Sequence, residues 1–154
     1  MSRYAADTGV SSDRSRSEIE RTLQRYGATS FAYGWQDDRA MIGFVAKDRR
    51  IQFVLPMPDR AAHEFTRTPT GRPRSASQAA AAYEQAVRQR WRALALVIKA
   101  KLEAVEAGIV TFEDEFAMHM VLPSGERAGD VVIRAIDTAY ATGTVPPLLA
   151  IGSA

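Results

Sequence analysis

No glycine or proline interrupts residues 76–107, and this stretch limits the fold more than any other feature of the chain. Ser75 and Gln78 form a capping-box pattern at its start, and Gly108 is suited to end it. Apolar residues recur at the helical period and occupy a stripe about 100° wide. The stripe consists of Tyr83, Val87, Trp91, Leu94, Ile98, Leu102 and Val105. The pattern predicts one long helix that covers another layer of structure.

Three short segments before this helix alternate between apolar and polar residues, which is typical of strands. The alternating sets are Phe31, Tyr33 and Trp35, then Ile42, Phe44 and Ala46, then Ile51, Phe53 and Leu55. Polar turns at residues 36–39 and 47–50 separate them, so we expect an antiparallel meander. A helix over residues 18–26 is predicted before the strands, with Ser17 and Glu20 as its capping box.

The C-terminal third of the chain carries weaker helical patterns. Thr111 and Asp114 predict the start of a short helix through Phe112 and Phe116. A last helix is expected near residues 131–140, and the alternative for residues 131–133 is the start of a strand. The predicted fold class is therefore α+β, with a helix, a three-stranded antiparallel meander, a long covering helix and a small helical C-terminal tail. We expect a flexible N-terminus (1–16), a single domain (17–142) and a C-terminal tail (143–154).

Residues 56–75 are rich in proline and arginine, and we expect neither helix nor strand there. Loops of this length without secondary structure are usually functional or disordered. The three arginines Arg67, Arg72 and Arg74 suit anionic ligands, and prolines would keep the segment extended as a flexible arm. The alternative is a surface linker that only joins the sheet to the long helix.

Charge is distributed unevenly along the chain. Residues 1–101 hold 18 lysines and arginines against 10 acidic residues, whereas residues 102–154 hold 2 against 8. This asymmetry indicates an anionic partner for the basic part, or an acidic part that packs against the basic helix and balances it. The absence of cysteine excludes disulfides and thiolate metal sites. With no apolar run of membrane-spanning length, we expect a cytoplasmic protein with no membrane partner.

Basic side chains from separate segments form the candidate binding site. Arg88, Arg92 and Lys99 lie on one flank of the apolar stripe, and the first helix adds further arginines. The predicted nucleic-acid-binding residues are Arg49, Arg50, Arg67, Arg72, Arg74, Arg88, Arg92, Lys99, Tyr33 and Trp35, with Arg14, Arg16, Arg21 and Arg25 nearby. Such a groove can follow phosphates while Tyr33 and Trp35 stack on unpaired bases. The alternative is a solvated helix face with the aromatic rings in the core.

These residues favour a nucleic-acid-binding protein, with single-stranded DNA binding or annealing through a basic groove. The alternative is a homo-oligomeric assembly subunit without enzymatic activity, in which the basic part of one copy meets the acidic tail of another. No glycine-rich phosphate loop or nucleophile elbow indicates an enzyme, and we expect no cofactor. Glu115 and His119 have the one-turn spacing of metal ligands, but acids in a first helical turn also favour the helix dipole. We assign no metal site.

Five segments resemble a family of small uncharacterised proteins of the phage and prophage type. They are RYAA near the start, EIERTLQRYGA, FAYGW, PTGRPRS and QRWRALALVIKAKLEAVEAGI. The resemblance covers nearly the whole chain and implies a phage setting with work on DNA. The order of elements is similar to that of double-stranded-RNA-binding domains, but residues 79–82 are alanines where a lysine cluster is expected. It is also similar to the core of Rad52-like annealing proteins, which bind single strands in a basic groove and form rings.

Overall fold

The computed structural model describes residues 9–36 and 38–148. Its elements are α1 (Ser12–Arg25), β1 (Ser30–Gln36), β2 (Arg39–Ala46), β3 (Arg49–Pro56), α2 (His63–Thr66), α3 (Ala76–Glu106), α4 (Phe112–Phe116) and α5 (Ala128–Thr142). One turn of 3-10 helix, Ala117–His119, follows α4 directly. The predicted α+β class, the long covering helix and the helical C-terminal part are confirmed.

The three strands form an antiparallel sheet in the order β1-β2-β3, as the meander pattern predicts. Tyr33 on β1 pairs with Ile42 on β2, which in turn pairs with Phe53 on β3. The turn between β2 and β3 places both Lys47 and Asp48 at positive φ, the geometry that matches the twist of a two-residue hairpin. Alternate residues therefore point to one face of the sheet, and that face carries the core.

Helices α1 and α3 cover the apolar face of the sheet. The predicted capping box of α3 is confirmed, because the Ser75 hydroxyl accepts from the Gln78 amide and the Gln78 side chain accepts from the Ser75 amide. The core consists of Ile19 and Leu23 from α1, Ala40, Ile42, Phe44 and Ala46 from β2, Ile51 and Phe53 from β3, Trp91, Ala95, Ile98 and Leu102 from α3, and Phe112 and Phe116 from α4. The molecule thus has one helical layer on one side of a sheet.

Helix α1 begins at Ser12, so the predicted start at residue 18 was wrong. Ser11 is its N-cap and accepts a hydrogen bond from the Arg14 amide, whereas Ser17 lies inside the helix. Residues 12–16, which we assigned to a flexible N-terminus, are helical, and Ser15 is fully buried. Residues 1–8 lie outside the described part of the chain. The added turns of α1 bring its start to the end of β1.

The segment 56–75 is folded, and our prediction that it contains no helix was wrong. Helix α2 forms there because Phe65 is buried and packs edge-on against Tyr83 of α3, at 5.5 Å between ring centroids. Residues 67–73 then turn back on themselves, with Thr68 donating to the Arg72 carbonyl and Gly71 at positive φ. This compact turn replaces the extended arm that the proline content predicted.

Candidate functional site

A cleft of about 380 Å³ opens at the end of the sheet where β1 ends and β2 begins. Its walls come from the start of α1, the end of β1, the segment after β3 and the N-terminal half of α3. Four aromatic residues and three arginines dominate the lining: Tyr33, Trp35, Tyr83, Trp91, Arg16, Arg60 and Arg88. We call this site the aromatic–arginine cleft.

The cleft stays open because β1 is an edge strand. It pairs only with β2, and within the described residues no strand lies on its other side. Trp35 is consequently 70% exposed and Tyr33 is 43% exposed, although both point to the same face of the sheet as the core. Large apolar side chains left uncovered at a concave surface are typical of a binding site.

Two arginines of the cleft rest on aromatic rings. The Arg16 guanidinium lies 4.7 Å from the Tyr33 ring centroid and 5.0 Å from that of Trp91. The Arg60 guanidinium lies 3.9 Å from the Tyr83 ring centroid. Tyr83 and Trp91 are eight residues apart on α3, so the two stacks are separated by about 12 Å along the helix. Such cation–π contacts hold the guanidinium groups at defined positions before any ligand arrives.

The residues that line the cleft have a net positive charge. Glu84 is the one acidic residue among those that line it, against three arginines. Arg88 donates through Nε and Nη2 to the Gln85 Oε1 atom, at 3.1 and 2.6 Å, and Arg16 is bonded to Asp13. Arg88 and Arg60 take part in no ion pair among the described residues, so both keep a full charge for an anionic ligand.

Three of the predicted site residues line the aromatic–arginine cleft: Tyr33, Trp35 and Arg88. They come from two elements that are distant in sequence, and the packing of α3 across β1 brings them together. Both aromatic residues were predicted as either stacking surfaces or core. The exposed position of Trp35 fits a stacking surface. Tyr33 lies at the edge of the core and contacts it through Trp91, at 5.4 Å between ring centroids.

Two further predicted residues of α3 lie outside the cleft. Arg92 is one helical turn beyond Arg88 but is turned towards α1, where it forms a half-buried ion pair with Glu18. Lys99 is about two turns farther along the helix and is half-buried. It forms no ion pair within the described residues. The long helix therefore contributes one arginine to the cleft and not the continuous basic floor that the helical wheel predicted.

The remaining predicted arginines lie elsewhere. Arg49 and Arg50 begin β3 at the opposite end of the sheet, where the Arg50 carbonyl accepts from the Val121 amide. Arg67, Arg72 and Arg74 belong to the compact turn before α3, and Arg67 donates to the Gly71 carbonyl at 3.1 Å. None of these five lines the cleft. The ten predicted residues therefore do not form one continuous groove.

The acidic segment after α3 is paired mainly with its own neighbours. Lys101 donates to Glu115 at 2.9 Å, Arg127 to Asp130 at 3.0 Å and Arg134 to Glu126 at 3.0 Å. No acid after residue 101 pairs with a cleft arginine in the described part of the chain. The predicted alternative, in which the acidic part neutralises the basic one, holds only for Lys101.

Glu115 and His119 are engaged in contacts within the protein. The His119 ring stacks on Phe53, at 4.1 Å between centroids, while Glu115 accepts from Lys101. Burial, followed by the positive charges of Lys101 and Arg127, lowers the pKa of His119 from 6.5 to about 4, against the opposing effect of Glu115. Residues 9–36 and 38–148 contain no group of three histidine or carboxylate side chains placed to hold a metal ion.

Four of the charged and aromatic residues of the cleft were not predicted from the sequence. Tyr83 and Trp91 were assigned to the core stripe of α3, and Glu84 was not considered. Arg60 follows Asp59, which accepts from the Ala61 amide and so shapes the turn that directs Arg60 towards Tyr83. Asp-Arg after a proline gives no sequence signal for this placement. Arg16 was noted among the arginines of the first helix, but its position at the cleft depends on the earlier start of α1.

Comparison of the chain with family models, with curated proteins and with solved structures finds no match. None of the helices within residues 9–36 and 38–148 combines the length and the apolar character needed to cross a membrane. Functional conclusions therefore depend on the geometry of the aromatic–arginine cleft.

Proposed function

We propose that this protein binds single-stranded nucleic acid, with single-stranded DNA favoured, through the aromatic–arginine cleft. The observation that supports this most is the exposed Trp35 ring beside Arg88 and Arg16. An exposed aromatic face takes a base by stacking, which contributes about 1–3 kcal/mol per base, and guanidinium groups bind the adjoining phosphates.

A single strand fits this geometry better than a duplex. The bases of a duplex are stacked on one another inside the helix, so Trp35 cannot reach their faces. The cleft volume of about 380 Å³ is near the small end of ligand sites, which suits one or two nucleotides and not a long groove. The proposed site is therefore shorter than the one predicted from the sequence, and Arg49 and Arg50 are left out of it. A cytoplasmic phage or prophage setting remains part of the proposal.

A fluorescence titration tests the proposal directly. The protein has two tryptophans, and Trp91 is only 2% exposed, so a bound base should quench the emission of Trp35 selectively. If three arginines contact phosphates, affinity should fall about 20-fold between about 50 and about 200 mM salt. Trp35→Ala should weaken binding about fivefold or more, because one stacking contact of at least about 1 kcal/mol is lost.

Two arginine variants provide a matched control for this titration. Arg88→Gln and Arg49→Gln remove the same charge at opposite ends of the sheet. Only the first should weaken binding and reduce the salt dependence. Equal losses in both variants would place the contact outside the cleft, and the absence of any binding by the unmodified protein would rule out the proposed function.

A second candidate function, self-assembly, is favoured by the surface of α5. Ile133, Ile136 and Tyr140 recur at helical spacing and are 50%, 40% and 90% exposed. A second copy of the chain would cover this stripe. Since most of the described acids after α3 that form ion pairs do so locally, the apolar stripe is a better interface than the charge pairing first predicted. Light scattering over a range of concentrations should give a mass above the monomer, and Ile136→Asp should reduce it to the monomer.

A further inference from the structure

Glu84 is an anomaly in a cleft that attracts anions. It lines the cleft on the same face of α3 as Arg88 and Trp91, four and seven residues later. A carboxylate at this position repels phosphates and therefore lowers the affinity for any nucleic-acid backbone. A residue that opposes general affinity is expected where a site discriminates between ligands.

The neighbours of Glu84 leave its carboxylate free. A glutamate normally pairs with an arginine four residues later on a helix, but Arg88 donates both of its bonds to Gln85. Glu84 is exposed and has no ion pair or hydrogen bond among the described residues. The carboxylate therefore offers two acceptor oxygens to whatever enters the cleft.

Base edges differ in how well they satisfy a carboxylate, which can only accept hydrogen bonds. The Watson–Crick edge of guanine carries two adjacent donors, the N1 imino group and the N2 amino group, and these match the two carboxylate oxygens. Adenine and cytosine each present a single amino donor beside a ring acceptor. Thymine presents one imino donor between two carbonyl oxygens, which are repelled by the carboxylate. A base stacked on an aromatic ring of the cleft is single-stranded, so its edge is available for this contact.

We infer that Glu84 makes the aromatic–arginine cleft selective for guanine over the other bases of a single strand. Glu84 would accept from N1 and N2 of a guanine stacked in the cleft, while Arg88 and Arg60, which have no ion pair among the described residues, hold the adjoining phosphates. This inference rests on the proposed function and adds base selectivity to it.

Short thymine oligonucleotides with one substituted central base test the selectivity. The unmodified protein should bind the guanine version about tenfold more tightly than all-thymine, since a bidentate base contact discriminates by about that factor or more. Replacing the guanine by hypoxanthine removes only the N2 amino group and should abolish most of the preference. Glu84→Gln should bind the guanine and thymine versions with similar affinity.

Glu103→Gln is the matched control, because it makes the same change on an exposed position of α3 outside the cleft. It should keep the guanine preference. Equal binding of all bases by the unmodified protein, or a preference that persists in Glu84→Gln, would overturn the inference while leaving single-strand binding in place. A uniform gain in affinity for every base in Glu84→Gln, with no change in preference, would also overturn it. If no oligonucleotide binds, the proposed function fails and the selectivity fails with it.

Discussion

The two ends of α3 use similar residues in opposite ways. Near its C-terminal end, Lys101 pairs with Glu115, and Phe116 is fully buried against Phe44 and Phe53. Near its N-terminal end, Arg88 has no acidic partner among the described residues and Trp35 across the cleft is exposed. Aromatic and cationic groups thus stabilise the fold at one end and stay accessible at the other. The difference arises because α4 covers the first end, whereas α1 and the segment after β3 flank the second end and leave the cleft between them open.

The two ends of α3 should differ most in how much their aromatic residues contribute to the free energy of unfolding. Phe116→Ala should lower the free energy of unfolding by about 3–5 kcal/mol, because it leaves a cavity between Phe44, Phe53 and Phe112. Trp35→Ala should change it by about 0.5 kcal/mol or less, since the ring is exposed. Urea denaturation of the two variants measures both values. Comparable losses would mean that Trp35 belongs to the core.

A smaller effect on stability is expected from a change of pH, at the end of α3 that α4 covers. His119 has its pKa lowered to about 4 from 6.5, so the unfolded chain takes up a proton at higher pH than the folded protein does. Stability from this residue is complete above pH 6.5 and is lost as the pH falls from 6.5 towards 4. The loss should be on the order of 1 kcal/mol, because the ring is only partly buried.

Melting curves at several pH values test this dependence. His119→Gln should remove the decline in stability between pH 6.5 and 4 that is specific to this ring. His63→Gln is the control, because it replaces the exposed histidine of α2 at the other end of the molecule. A decline that persists in full without His119 would assign the effect to carboxylates instead.

The smallest expected effect on stability is in the turn between β2 and β3, at the end of the sheet opposite the cleft. Asp48 has φ near 60°, a conformation that costs a non-glycine residue about 1 kcal/mol. Asp48→Gly should therefore raise stability by a few tenths to about 1 kcal/mol, measured by thermal unfolding. Asp59→Gly, in the turn after β3 beside the cleft, should give no gain, because Asp59 is not among the described residues at positive φ and its carboxylate accepts from the Ala61 amide. A gain at both turns would indicate an effect other than backbone strain.

Most of the fold was predictable because its signals are local and periodic. The Ser75–Gln78 cap and the apolar stripe define α3, and the alternation around Phe44 and Phe53 defines the strands. The start of α1 was not predictable in the same way, because Ser11 and Ser17 are both acceptable caps. The choice depends on tertiary packing, since the turns from Ser12 onward bury Ser15 against the rest of the protein.

The candidate site was less predictable than the fold. Charge counts identify arginines but not the end of the sheet at which each of them lies, so Arg49 was grouped with Arg88 although they are on opposite ends. Arg60 depends on a turn inside a proline-rich segment whose folding requires the burial of Phe65. Tyr83 carries the same helical spacing whether it contacts the core or a cleft. Long-range geometry of this kind has no signature in a single sequence.

The early start of α1 has a practical consequence for the design of shortened proteins. A fragment that begins at Ser17 would retain Ile19 and Leu23, through which α1 joins the core, but it would lose Arg16 and the Ser11 cap. Such a truncation would separate the groups that α1 contributes to the core from those that it contributes to the aromatic–arginine cleft. The capping-box pattern at Ser17 favours a cut at residue 17, and a fragment made that way would keep the core residues of α1 while losing its N-cap, the buried Ser15 and the α1 side of the cleft.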